Sequence, residues 1–246
     1  MRHRQTTDNF RPPSRNHKYR EGAVEVVRNL QPSDVKLSFT VMAHEKRGEW
    51  AEEIARDIGC DITWDRRNDR HDTGLRAIKA YDPDATHHVV VQDDVHLCED
   101  FVKTVENAVQ YAHPFAPIGL YYGGKGKVSS RHVRAALEAD KHNASWIVRK
   151  GPIWGPAIVY PVATIPDLIK YFKASIVENY DKRVMYYYMS VNQPCWYSYP
   201  SLVDHRQENN PSLCGHDKPN RSARKFLGPQ EALEVDWSGP AIKASW

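Results

Sequence analysis

The chain has 246 residues, enough to bury a substantial core, and its 41% hydrophobic and 26% charged composition is ordinary for a globular protein. No stretch approaches the roughly 20 apolar residues that span a bilayer, and the basic N-terminus lacks the apolar segment of a secretory signal, so we expect a cytoplasmic protein. Its four cysteines form no CxxC pair, and we expect reduced thiols.

The positive charge is concentrated at the N-terminus. Residues 1–22 hold six of the 34 Lys and Arg residues and two of the 31 Asp and Glu residues, a net charge of +4, whereas the rest of the chain carries −1. We therefore predict a basic, partly disordered extension over residues 1–33 and a single domain over residues 34–246. The extension is either a solvated leader or an arm that contacts nucleic acid or another polyanion.

The first half of the domain alternates strand patterns with helix patterns. A strand is recognised by a run of β-branched and apolar residues, and each helix by apolar residues at helical spacing. The predicted strands are 36–44, 60–65 and the valine run after His87, and the predicted helices are 47–59, 75–81 and 101–109. This alternation predicts an α/β fold whose sheet is parallel and wound by right-handed crossovers.

The second half is less regular. We predict a strand at 117–124 that runs into a glycine-rich loop, two strand-like pieces within 146–161, a helix around 168–172 and another over 181–189. The GGKGK loop lacks the spacing of a phosphate-binding P-loop, so we interpret it as a mobile loop. From Tyr199 onward there is little periodicity, which is typical of a segment that lies across a surface or over a site.

Two adjacent aspartates, Asp93 and Asp94, end the most apolar run of the chain. Because Asp disfavours strand interiors, both carboxylates are expected where the strand emerges from the sheet, the edge at which open α/β sheets bind ligands. Two neighbouring like charges require a cation nearby. A divalent metal ion that holds a diphosphate is the commonest arrangement, since it needs only one or two protein carboxylates.

The order of several motifs resembles nucleotide-sugar-dependent glycosyltransferases of the GT-A fold, particularly the small bacteriophage-encoded ones. The motifs are TVMAHEKR, TWDRR, HDTGLRAIKAYDPDATHHVVVQDDV, WGPAIVYP, PSLVDHR, PSLCGH and RSARKFLG, and they cover roughly residues 36–230. The resemblance implies a Rossmann-type, mostly parallel central sheet flanked by helices, with an irregular C-terminal acceptor-side region. It also implies a nucleotide-binding half at 34–97 and an acceptor-side half at 98–246.

On the donor side, the resemblance implies a role for each matching residue. Asp94 would bind Mn²⁺ or Mg²⁺ on the donor diphosphate, and Asp93 would contact the ribose, the sugar or the metal shell. Gln92 stands where many relatives carry another acid, which leaves the division of roles open. The remaining donor positions are Ala43, His44 and Arg47 for the nucleotide, Asp65 for a base such as uracil, and Arg76 for phosphate charge.

On the acceptor side, the resemblance makes Asp181 the general base, although an acid at that point could also only cap its helix. Trp154 and Gly155 match an element that contacts the acceptor, and the alternative for Trp154 is a buried core residue. His205 and His216 would supply a further metal ligand or grip phosphate, and the alternative is a structural histidine. Arg221 and Arg224 are either phosphate clamps or solvated charges.

The function predicted from the sequence is metal-dependent transfer of a sugar from a nucleotide-diphosphate donor, UDP-linked by preference, to a hydroxyl acceptor. The acceptor would be a hydroxymethylated DNA base, a virion protein or a glycan, and a phage-encoded enzyme would act in the host cytoplasm. The alternatives are a metal-dependent phosphoesterase or nuclease that uses Asp93 and Asp94, and a catalytically silent sugar-nucleotide-binding protein.

Overall fold

The computed structural model describes residues 24–27, 31–123, 130–151, 153–177, 179–206, 221–228 and 234–244. The strands are β1 (Val24–Val27), β2 (Leu37–His44), β3 (Asp61–Asp65), β4 (His87–Gln92), β5 (Val95–Leu97), β6 (Ile118–Gly119), β7 (Trp146–Arg149), β8 (Ala157–Pro161), β9 (Cys195–Ser198), β10 (Val203–His205) and β11 (Ala241–Ala244). The helices are α1 (Gly48–Ile58), α2 (Arg70–Lys79), α3 (Phe101–Val109), α4 (Ser130–Lys141), α5 (Ile165–Ala174) and α6 (Tyr180–Ser190).

Within the described ranges, nine strands form one sheet in the order β1-β11-β7-β9-β6-β8-β4-β2-β3, and β5 and β10 form a separate antiparallel pair. The α/β class is confirmed. The sheet, however, is mixed: β3, β2 and β4 are parallel as predicted, whereas β8 runs antiparallel to both β4 and β6. The prediction of a mostly parallel sheet assumed that the strand–helix alternation of the first half continues in the second half, which lacks it.

The apolar residues of the sheet divide between two faces. On one face α1 and α3 contribute Ile54, Ile58, Phe101 and Val105 to a core that also contains Val89 and Val91 of β4. On the other face α2, α4, α5 and α6 cover a second core, to which β4 contributes Val90. Because both faces of β4 are buried, its side chains are apolar on both sides, as the valine run predicted.

Most predicted elements of the first half are confirmed, and α1 ends at Gly59 in the left-handed conformation (φ 76°). The helix predicted from 75 begins earlier, at Arg70, because the side chain of Asp69 accepts the backbone N–H groups of His71 and Asp72 and caps it. At 117–124 the strand is shorter than predicted and comprises only Ile118 and Gly119.

Several other elements, among them β1, α4, β10 and β11, were not anticipated. β1 lies inside the predicted 1–33 extension and pairs with β11, so the sheet reaches beyond the predicted domain boundary at residue 34. α4 was missed because its buried stripe is made of Ala135, Ala136 and Ala139, whose small side chains give a weak apolar period. β10 and β11 lie in the tail that was predicted to be irregular, since strands of three or four residues are too short to show an alternation.

The rest of the basic tail (1–23), most of the GGKGK loop and His216 lie outside the described residues. None of the described helices is both long enough and apolar enough to cross a bilayer.

Candidate functional site

The candidate site forms at the edge where β2 and β4 end and β8 begins. β4 is parallel to β2 and antiparallel to β8, so the residues that follow β2 and β4 meet the residues that precede β8. A hydrogen bond from the Gln92 N–H to the Pro156 carbonyl (2.8 Å) fixes that meeting point. The structure thereby brings together residues that are more than 60 positions apart in the sequence.

Asp93 is buried and fully engaged. Its Oδ2 accepts the His44 backbone N–H at 2.7 Å, and its Oδ1 lies 2.8 Å from Nη1 of Arg47. Burial raises the pKa of Asp93, while the charge of Arg47 and the N–H of His44 oppose that rise. Both carboxylate oxygens therefore already have partners within the protein.

Asp94 is equally buried, but its surroundings differ. Its Oδ2 lies 3.2 Å from Nη1 of Arg47 and 3.7 Å from Nδ1 of His205, whereas its Oδ1 has no hydrogen-bond partner among the described residues. The cation that the adjacent aspartates require is therefore present in the chain itself: the guanidinium of Arg47 contacts both. We predicted that Arg47 binds the nucleotide; its observed contacts are with the two carboxylates.

His205 completes this cluster, which we call the Asp94 cluster: Arg47, Asp93, Asp94 and His205. The imidazole packs edge-on against Tyr121 with ring centroids 5.1 Å apart, and burial lowers its pKa, so it is neutral at pH 7. The next residue, Arg206, anchors β10 through a bidentate ion pair with Glu53 of α1 (2.9 and 3.0 Å). A neutral, anchored imidazole is suited to ligate a metal ion.

The Asp94 cluster offers few ligands for a divalent cation. Buried and without a partner, the Asp94 Oδ1 atom suits a hard cation, and His205 lies beside the same carboxylate. Asp93 offers no unengaged oxygen. In the described part of the chain, no group of three or more His, Cys, Asp or Glu side chains is arranged to hold a metal ion. A cation here would depend on substrate oxygens for most of its ligands, as Mg²⁺ does in many phosphate sites.

Asp181 stands in the first turn of α6 and faces the start of β8. The helix cap is Asn179, whose side chain accepts the Lys182 N–H at 3.1 Å, so Asp181 does not serve as the cap. Instead its Oδ2 accepts the Gly155 N–H at 3.2 Å. Burial raises the pKa of Asp181 to about 6; the Gly155 N–H and Arg70 oppose the rise, and the charge of Asp94 adds to it.

Gly155 is required because the Asp181 carboxylate approaches its backbone. A Cβ at this position would lie 2.5 Å from Oδ1 of Asp181 and 2.6 Å from Nε2 of Gln92, closer than real Cβ contacts. We predicted that this glycine lets the backbone approach an acceptor; its observed neighbours are Asp181 and Gln92. The amide of Gln92 thus occupies a place where another acid would repel Asp181.

Trp154 is half-buried, and its observed ring contacts are those of a core residue. Its ring packs edge-on against Tyr121 and Tyr122, with ring centroids 6.2 and 5.3 Å apart. It also packs against the rings of His132 and Tyr197, with centroids 4.9 and 5.6 Å apart. One part of the indole therefore belongs to an aromatic core. Through Tyr121 the ring is also connected to His205 of the Asp94 cluster.

The other predicted donor residues lie near this edge but contact the protein itself. Ala43 is buried in β2, and Asp65 pairs with His44 in the β2–β3 register. The Oδ1 atom of Asp65 accepts the N–H groups of Arg67 and Asp69 and holds the following loop. Arg76 is bound to Asp72 at 2.8 Å and to the Trp64 carbonyl at 2.9 Å, so it ties α2 to β3.

Four residues of the site were missed by the sequence reasoning: Arg70, Tyr121, Asn179 and, as a neighbour of Asp181, Gln92. Asn179 could have been found, because Asn is a preferred N-cap residue immediately before a helix pattern. That Gln92 and Asp181 both lie beside Gly155 depends on the antiparallel pairing of β4 with β8, which no local pattern indicates.

Comparisons with known proteins give little further information. No protein-family model and no curated protein matches the chain. Among solved structures the chain is similar to one described as the crystal structure of a glycosyltransferase involved in the glycosylation of the major capsid of PBCV-1. The likeness has a TM-score of 0.32 and 11% identity and covers 71% of this chain and 94% of that chain. Function is therefore inferred from the site's own residues.

Proposed function

We propose that this protein is a metal-assisted glycosyltransferase of the GT-A fold, which moves a sugar from a nucleotide-diphosphate donor to a hydroxyl acceptor. The observation that carries the proposal is the meeting of two carboxyl groups with different surroundings at one sheet edge. Asp94 has a buried oxygen with no partner among the described residues, and Asp181 has a pKa raised to about 6 by burial. Such pairs separate a binding role from an acid–base role.

The donor would be held at the Asp94 cluster. Asp94 and His205 are the residues that would hold Mn²⁺ or Mg²⁺, which when bound neutralises the negative charge that builds on a leaving diphosphate. Arg47 keeps both aspartates in place and limits their mutual repulsion. Asp65, opposite His44 at the same edge, would contact the base of a UDP-linked donor.

Asp181 would act as the general base. It takes the proton of the acceptor hydroxyl while that oxygen attacks the anomeric carbon, and the bond between this carbon and the diphosphate breaks with its electron pair leaving on the diphosphate. With a pKa of about 6 the carboxylate is ionised at pH 7, yet it is more basic than an ordinary aspartate. The Gly155 N–H holds the carboxylate toward β8, beside Trp154 on the acceptor side.

The acceptor is proposed only as a hydroxyl compound. Hydroxymethylated DNA bases, a virion protein and a cell-envelope glycan are the candidates, and the exposed part of Trp154 offers a stacking face for a base or a sugar.

The decisive experiment incubates the protein with a panel of nucleotide sugars and Mn²⁺ and measures free nucleotide diphosphate. We expect slow release that is lost in Asp94→Asn and kept in Asp57→Asn, a matched change at an exposed acid of α1. Asp181→Asn should bind the donor with unchanged affinity by calorimetry and fail to transfer the sugar. Cleavage of DNA with no release from any nucleotide sugar would overturn the proposal.

The same experiment addresses the two alternatives. A phosphoesterase with two metal ions about 4 Å apart requires several side-chain ligands for them, and both oxygens of Asp93 are already engaged. A silent sugar-nucleotide-binding protein would bind the donor, and Asp181→Asn would then change nothing that can be measured.

A further inference from the structure

A buried arginine outside the Asp94 cluster has no acidic partner among the described residues. Arg149 is the last residue of β7 and is only 5% exposed. Its side chain hydrogen-bonds that of Tyr122, whereas its Nε and Nη1 atoms have no hydrogen-bond partner in the described part of the chain. None of the ion pairs formed among the described residues includes it. The charge of the guanidinium is therefore not balanced by any described carboxylate.

This arrangement is costly for a protein on its own. Arginine stays protonated in proteins, so it cannot relieve the cost of burial by losing its charge, as a buried lysine can. A buried charge without a partner is strongly destabilising, which is why buried charges are normally paired. An anion bound near Arg149 would relieve that cost.

The side chains around Arg149 are neutral. Burial raises the pKa of Tyr122 and the charge of Arg149 opposes that rise, while burial together with Arg149 lowers the pKa of His132 to about 4. The guanidinium thus lies beside a neutral phenol and a neutral imidazole. On a third side a Cβ at Gly151 would lie 3.8 Å from Nη2, and the φ of +132° at Gly151 favours glycine.

The helix that carries His132 adds to the positive potential. α4 begins at Ser130, and His132 lies in its first turn. That turn contains no acidic residue, and α4 carries Arg131 and Arg134 near its start. The first-turn N–H groups and the helix dipole favour an anion at this end, where most helices place Asp or Glu.

We propose that Arg149 and the N-terminal turn of α4 bind a small oxyanion of the phosphate class. The Nε and Nη1 groups lie on different edges of the guanidinium, so a phosphate would accept a charge-assisted hydrogen bond from one of them. The neutral His132 and Tyr122 line the position without repelling an anion. Trp154, whose ring is 4.9 Å from that of His132, lies between this position and Tyr121 beside the Asp94 cluster.

The phosphate could be a free ion or a group carried by a larger ligand. Only the second source, a phosphate carried by a larger ligand, rests on the proposed function. If that ligand is the sugar acceptor, its phosphate would lie on the far side of Trp154 from the donor. Inorganic phosphate and methyl phosphate serve as probes for the two sources. Binding of both shows that the site admits an ester, and binding of inorganic phosphate alone shows a site for the free ion.

The experiment measures thermal unfolding against phosphate concentration in EDTA, with no donor present, so that the Asp94 cluster cannot contribute through a metal ion. In the wild type we expect a saturable rise in Tm, because a ligand that binds only the folded state stabilises it. Arg149→Met should not respond to phosphate. Without phosphate it should be at least as stable as the wild type, because it lacks the buried charge.

Two further variants make the test specific. Arg66→Met, at an exposed arginine after β3, should respond as the wild type does, and Asp94→Asn should keep the response even if it abolishes sugar transfer. If Arg149→Met does not fold, Arg149→Lys replaces it, with phosphate binding about 10-fold weaker because an ammonium group does not place its N–H groups where the guanidinium does. A wild type with no saturable response, or an Arg149 variant that responds like the wild type, overturns the proposal.

Discussion

At the scale of single residues, Asp93 and Asp94 show how neighbours in sequence acquire different environments. They follow one strand and share Arg47, yet the His44 main-chain N–H bonds to Asp93, whereas Oδ1 of Asp94 has no partner among the described residues. The carboxylate with two partners is suited to hold the loop after β2, and the one with an unengaged oxygen is suited to hold a ligand. Arg47 is essential to both because it balances two buried negative charges.

Replacing Arg47 by Met should therefore destabilise the fold. Removing one partner of a buried ion pair leaves the other uncompensated, and here two carboxylates lose their cation, so we expect a loss of about 3 kcal/mol or more. Chemical denaturation at pH 7 would measure it. The exposed Arg66→Met is the control, and a loss no larger than in that control would show that Arg47 is dispensable.

The raised pKa of Asp181 predicts an acid limb in the pH profile. The base must be ionised, so kcat/KM for sugar transfer should fall as the pH drops below about 6 and stay level above it. The same shift affects stability: the folded protein binds this proton more tightly than the unfolded chain, so the contribution of Asp181 to stability declines as pH rises through about 6. Asp181→Asn should remove that decline, and an identical pH dependence in both proteins would contradict the assignment.

Gly155→Ala tests the close approach of Asp181 to the backbone. The added methyl group would lie 2.5 Å from Oδ1 of Asp181 and must displace it. We expect kcat to fall by about 100-fold, because displacements of about 1 Å at a catalytic group have effects of that size. Gly228→Ala, where a Cβ meets nothing within 4 Å, is the control and should retain the wild-type kcat.

At the scale of elements, α2 and α6 pack against each other at Gly74 of α2. The ring of Tyr180 lies so close to Gly74 that a Cβ there would be 2.2 Å from Cδ2 of the tyrosine. Since Tyr180 precedes Asp181, this contact sets where the Asp181 carboxylate enters the site. The position of α6 thus depends on a residue of α2.

Gly74→Ala should consequently lower the stability, although alanine favours helix formation more than glycine does. Forcing extra volume into a packed contact costs about 1–3 kcal/mol, more than the gain of about 1 kcal/mol in helix propensity. Gly48→Ala in α1 is the matched control, because its Cβ would meet Trp64 at an ordinary 3.9 Å. Denaturation curves of the two variants that shift alike would contradict the packing argument.

The elements that the sequence predicted well are those with long, bulky apolar stripes, such as α1 with Ile54 and Ile58 and β4 with its valines. Alanine-lined α4 and the three-residue β10 carry too little pattern. In the site, Asp93, Asp94 and Asp181 could be proposed from their motifs. The bridging role of Arg47 could not, because it depends on the loop geometry after β2 rather than on any local residue order.

At the scale of the whole molecule, β1 forms one edge of the sheet and lies N-terminal to the predicted domain boundary at residue 34. β1 pairs with β11 over four residues, and Lys243 lies 3.3 Å from Glu25 across the pair. The last strand of the chain is thus held between β1 and β7. Loss of β1 would leave β11 as an exposed edge.

Two N-terminal deletions distinguish the contribution of the basic tail to stability from that of β1. Removing residues 1–23 should leave Tm unchanged, whereas removing residues 1–27 should lower it by about 5 °C or more, because several strand hydrogen bonds of about 1 kcal/mol each are lost. Thermal scans at equal protein concentration would show the difference. Equal Tm values for the two deletions would mean that β1 adds nothing to the sheet.

The hydrogen bond between Gln92 and Pro156 has a consequence for how the molecule could change over evolutionary time. It fixes the register of β4 and β8, and with it the placement of Asp94 relative to Gly155 and Asp181. Strand register shifts only by whole residues, each step moving the chain by about 3.3 Å and turning every side chain to the opposite face. The separation of the two carboxylates therefore cannot drift gradually through changes in these strands. Finer adjustment is left to the loop after β2 and to the start of α6, where new specificities would arise.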